Sequence, residues 1–103
     1  MRRKVVTDAE IAADHPCLPG HFPGRPIVPA VVLLDEVAMA LQAAIGPVRI
    51  TALGRAKFLQ PVPPGQRFQI SLDIDSTSQR ARYQCRCDEA LAVDGELSYT
   101  SSQ

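Results

Sequence analysis

The sequence predicts an α+β fold, a curved antiparallel sheet wrapped around one central apolar helix. Three observations predict it: a single long apolar segment with helix signals at both ends, later runs that alternate with period two, and a crowded proline stretch between the first strand and the helix. The chain has 103 residues, 46% of them hydrophobic. Residues 1–103 are read as one domain, with a core small enough that sharing it with a second copy would help.

Each element follows in order. Lys4 to Ala12 reads as a first strand. Five of the nine prolines fall at positions 16, 19, 23, 26 and 29. Proline fixes φ and lacks a backbone donor, so His15 to Pro29 is neither helix nor central strand but a stiff loop, relieved at Gly20 and Gly24. Pro29 suits the entry to a helix, which runs from Ala30 to Ile45 and stops at Gly46-Pro47. Apolar residues lie all round that helix, predicting that other structure surrounds it.

The strands that wrap it come next. Val48 to Leu59 forms one, and Pro61 to Gly65 is a connecting turn. Gln66 to Asp75 alternates, with Phe68, Ile70, Leu72 and Ile74 on one face. Arg80 to Cys87 repeats the pattern with Ala81, Tyr83, Cys85 and Cys87 inward. Asp94-Gly95 reads as a hairpin turn into a last strand, Glu96 to Ser101.

Charge and composition exclude several functions. Eleven basic residues balance eleven acidic ones, and there is no Trp. Nothing here resembles a phosphate-neutralising surface, so nucleic acid is not an expected partner. No apolar run approaches the roughly 20 residues that span a bilayer, and Met1-Arg2-Arg3-Lys4 is not followed by a secretory apolar stretch. A cytoplasmic protein with no membrane association is expected. Three cysteines make a poor disulfide framework, and His15, Cys17 and His21 lack a fourth ligand, so no metal is expected.

Asp35 stands out as a carboxylate in an apolar helix, where burial forces it to be paired, protonated or facing a cavity. His21, clamped between Pro19-Gly20 and Phe22-Pro23-Gly24, titrates near neutrality and is a usable general base. The free N–H groups of Ala30 and Val31 at the helix start suit a developing oxyanion. Together they fit proton abstraction beside a carbonyl. On spacing alone the structural reading is favoured, in which Asp35 caps or pairs with another group and His21 packs in a turn.

The run from Gly20 to Asp35, Gly-His-Phe-Pro-Gly-Arg-Pro-Ile-Val-Pro-Ala-Val-Val-Leu-Leu-Asp, resembles the signature of the β-hydroxyacyl-ACP dehydratases, a hotdog-fold family. Arg55-Ala56-Lys57-Phe58, Pro61 to Gly65 and Val93 to Leu97 are also similar, and the likeness extends over about Ala9 to Thr100. With its short N-terminal region the chain looks more like the compact dehydratases of specialised pathways such as aryl polyene synthesis than like the housekeeping enzymes of fatty-acid synthesis.

The resemblance implies dehydration of a 3-hydroxyacyl thioester to the trans-2-enoyl thioester. No cofactor is implied beyond the phosphopantetheine of acyl carrier protein or CoA that carries the substrate. His21 matches the catalytic histidine and Asp35 the helix carboxylate, the two facing each other across a homodimer. Ala30, Val31, Phe22 and Gly24 then border the substrate, with Ala30 standing where the family usually has glycine. Arg25, Arg55 and Lys57 are candidate contacts for an acyl carrier protein, although a solvated charged face explains them as well. A hotdog thioesterase, in which the carboxylate activates water, and a non-catalytic acyl-binding hotdog protein are the alternatives.

Overall fold

The computed structural model describes residues 2–11 and 30–101. Five strands and one helix appear: β1 (Arg2–Glu10), α1 (Ala30–Ile45), β2 (Val48–Phe58), β3 (Arg67–Asp75), β4 (Arg80–Cys87) and β5 (Ala90–Ser101). The strands form one antiparallel sheet in the order β1-β3-β4-β5-β2. The period-two reading of β3 and β4 is met closely. Phe68, Ile70, Leu72 and Ile74 of β3 and Ala81, Tyr83, Cys85 and Cys87 of β4 are buried against α1. Both of these cysteines are free.

α1 occupies the expected residues. Gly46 takes φ +89° and donates its N–H to the Gln42 carbonyl at 2.8 Å, which ends the helix with a left-handed residue. The Arg3 guanidinium donates to the Ala44 carbonyl at 2.8 Å. A cation there complements the negative end of the helix.

Two expectations are corrected. The helix is not surrounded: Val32, Leu33, Val37 and Leu41 are buried, while Val31 is 67% and Met39 54% exposed. A single five-stranded sheet offers one concave face, and that face covers only one side of a helical cylinder. Asp94-Gly95 is not a turn either, for both residues lie inside β5. The chain reverses instead at Asp88-Glu89, where Asp88 adopts φ +55°. Asp is one of the few side-chain-bearing residues that tolerate this conformation.

Gly95 has a different reason to be glycine. It pairs with Tyr83 across the β4–β5 ladder. A Cβ at Gly95 would stand 2.6 Å from Tyr83 Cζ and 3.1 Å from the Arg55 carbonyl oxygen. The ring lies directly over the bare backbone, a use of strand glycine distinct from turn formation.

β2 is an edge strand and the least regular one. Its register with β5 slips between Ile50 and Ala52 and again between Leu53 and Ala56. Each slip inserts one extra β2 residue, the signature of a bulge, and together they restore the original facing.

Candidate active site

The N-terminal half of α1 places the helical candidates. Val31, Leu34, Asp35 and Ala38 follow the i, i+3, i+4, i+7 pattern of one helix stripe. That stripe faces the bulged part of β2, and with Ile50, Thr51, Ala52 and Leu53 it lines an open depression of about 460 Å³. Among the described residues its walls are mainly apolar, and Asp35 is the one ionisable side chain there. One end of the stripe lies next to the helix start, where the first N–H groups have no intrahelical acceptor. Ala30 and Asp35 are five residues apart, a rise of about 7.5 Å.

Asp35 is exposed in the single chain, contrary to the expected burial, and has no hydrogen-bond or ion-pair partner among the described residues. The reason is the open side of the helix: Asp35 projects from the stripe that borders the depression beside β2, not from the face packed on the core. Leu53, 57% exposed on the facing strand, shares that uncovered surface.

His21, Phe22, Gly24 and Arg25 lie outside the described residues. Arg55 and Lys57 do not join the Asp35 depression. They line a separate hollow of about 280 Å³ with Arg82, Asp94, Gly95 and Glu96. There Arg82 Nε and Nη2 donate to the Asp94 carboxylate at 3.2 and 3.0 Å. This two-point hydrogen bond draws the Asp94 carboxyl below its usual range and raises the guanidinium above its own. Arg55 and Lys57 remain exposed beside that pair.

Sequence reasoning did not single out Ile50 to Leu53 as site-lining residues. They read as ordinary strand, and the bulges that bring them to face Asp35 depend on the partner strand. Cys85, by contrast, has no catalytic character: burial pushes its thiol up to about 12. Among the described residues, no three His, Cys, Asp or Glu side chains gather as a metal site.

In curated sequences, the chain is 33% identical over 110 residues to the 3-hydroxyacyl-acyl-carrier-protein dehydratase FabZ of Chlamydia pneumoniae, covering 94% of this chain and 72% of that protein. In solved structures, it superposes on the dehydratase heterocomplex ApeI:P from Xenorhabdus doucetiae with a TM-score of 0.84 at 20% identity, covering 96% of this chain and 93% of that one. The (R)-hydratase from A. caviae involved in PHA biosynthesis matches with a TM-score of 0.71 at 17% identity, over 97% of this chain and 95% of that one. These likenesses agree on the α+β hotdog fold. A family model described as ApeI dehydratase matches residues 1–96, spanning β1, α1 with its Asp35 stripe, β2 to β4 and the first half of β5. The chain therefore belongs to the ApeI-like dehydratase family.

Proposed function

We infer that this chain is a hydro-lyase that dehydrates a 3-hydroxyacyl thioester to the trans-2-enoyl thioester, in fatty-acid or polyene-type biosynthesis. The observation that carries this reading is the family match over residues 1–96, which includes the whole Gly20 to Asp35 signature. The apolar depression with one carboxylate supports it, because such a surface suits an acyl chain with a single polar reaction at one end.

The His21 imidazole takes the proton from the α-carbon. The electron pair of that C–H bond becomes the new double bond as the β-carbon–oxygen bond breaks. Asp35, protonated at the start, gives its proton to the departing hydroxyl, which leaves as water. The proton on the imidazole then passes to the carboxylate and resets both groups. N–H groups at Ala30 and Val31 hold the thioester oxygen while negative charge builds on it. Phe22 and Gly24 border the substrate, and the Ala30 Cβ narrows the space beside the thioester.

Asp35 needs a histidine and a cover, and we propose that a second copy supplies both. In the resulting homodimer, His21 of one subunit faces Asp35 of the other, and the uncovered stripe of α1 and Leu53 become interface. The substrate arrives on the phosphopantetheine arm of an acyl carrier protein, with no metal or redox cofactor. Arg25, Arg55 and Lys57 offer positive charge to that acidic carrier; Arg55 and Lys57 flank the already neutralised Arg82–Asp94 pair. A cytoplasmic location follows for an enzyme of this supply chain, and no described helix is long and apolar enough to cross a membrane.

The test is direct. Purified protein is incubated with a 3-hydroxyacyl carrier protein while enoyl absorbance and free thiol are followed. Enoyl product without thiol is expected. Thiol release would establish hydrolysis, and the absence of both would leave the acyl-binding alternative; either outcome ends the dehydratase reading.

A further inference from the structure

The outer edge of β1 carries a pattern that the single chain does not use. β1 closes the sheet at the end opposite β2, with only β3 beside it among the described residues. Its nine pairs with β3 run from Arg2 opposite Asp75 to Glu10 opposite Arg67 without a slip. Among the described residues this edge is thus regular, with outward backbone donors and acceptors that pair with nothing there, whereas β2 is broken by two bulges.

Odd-numbered β1 positions turn toward α1: Val5 and Ala9 pack on the core and Arg3 reaches the helix end. Even-numbered positions share the other face, and Arg2, Lys4, Val6, Asp8 and Glu10 are all exposed, Val6 by 52%. Their signs run positive, positive, neutral, negative, negative. An antiparallel copy of the same strand, with Val6 opposite Val6, meets each charge with its opposite. Arg2 faces Glu10 and Lys4 faces Asp8, each pair occurring twice. Sliding that register by two residues either way halves these pairs, and parallel in-register pairing sets like against like.

The β3 neighbours extend the order. Arg67 lies beside Glu10 and Asp75 beside Arg2, so one row across the joined sheets alternates in sign over four strands. Asp73, beside Lys4, plays the same part in the next row. The existing Arg2–Asp73 ion pair, exposed and 3.4 Å long, is too weak to withhold Arg2.

We propose that β1 is an interface between copies of this chain: two β1 strands pair antiparallel across a two-fold axis at Val6 and join two sheets into one. This contact lies at the sheet edge opposite the α1–β2 surface assigned to the shared active site, so the two interfaces coexist in one assembly. It is isologous, and opposite charges directly across strands favour it.

The test is charge reversal read by light scattering at low salt. One chain carries Arg2→Glu with Lys4→Glu, a second Asp8→Lys with Glu10→Arg, and a third all four changes; circular dichroism checks that each is folded. Each half-reversed chain faces itself with like charges and is expected to associate about tenfold or more weakly, lowering the mass below that of the native protein. Mixing the two half-reversed chains, or making all four changes, is expected to restore it. A mass unmoved by half-reversal, or one that falls and is restored by neither route, overturns the proposal. Enoyl formation by the same chains is read separately, because none of the four residues borders the Asp35 depression.

Discussion

Asp35 stands on an exposed helix stripe in an apolar surround, so a substitution there separates chemistry from stability. Asp35→Asn keeps the side chain's size and removes its transferable proton. Turnover is expected to fall by about 10²- to 10⁴-fold, the usual contribution of a general acid. Because Asp35 makes no hydrogen bond among the described residues, the stability of the folded chain is expected to stay within about 0.5 kcal/mol of native. Steady-state rates and urea unfolding of the same preparation check both parts, and a variant that keeps full turnover would remove Asp35 from the reaction. Asp35 stood out in the sequence because a carboxylate interrupts an apolar run. Its exposure did not, since burial depends on how far the sheet reaches around the helix.

At the scale of elements, alternation predicted β3 and β4 almost to the residue, because each buries one face and period two records that directly. The same sequence logic failed at Asp94-Gly95. A hairpin glycine and a glycine beneath an aromatic ring look identical in one dimension, and only the Tyr83 pairing distinguishes them. This difference has a measurable consequence. Gly95 is not among the positive-φ glycines, so Gly95→Ala is expected to destabilise through collision with the Tyr83 ring, by about 1–3 kcal/mol, the usual cost of overpacking. Shortening the partner by Tyr83→Leu should then recover part of that loss. In a double-mutant cycle from urea unfolding, a coupling of about 1 kcal/mol or more is expected, whereas strain in a turn would make the two changes additive. The β2 bulges were equally hidden, because a register slip belongs to the ladder between two strands.

At the scale of the whole molecule, the apolar residues all round α1 were read correctly as residues and incorrectly as a count of what one chain can cover. The sheet buries Val32, Leu33, Val37 and Leu41, leaving Val31 and Met39 open as apolar surface beside Asp35. A second copy resolves that mismatch and carries a strong consequence if His21 and Asp35 meet across the subunit boundary. Chains with His21→Ala have a sound Asp35 and no base; chains with Asp35→Asn have a sound His21 and no acid. Each alone is expected to be nearly inactive. When equal amounts are unfolded together and refolded, about half of the dimers combine one chain of each kind. In such a dimer one site receives both substitutions and the other receives neither, so activity should recover to about a quarter of the native level. Sites built within one chain would recover nothing, because every subunit would still carry its own defect. Mixing the folded proteins without unfolding should restore activity only as fast as subunits exchange. The time course of enoyl formation after mixing therefore measures the lifetime of the dimer as well as the sharing of its sites.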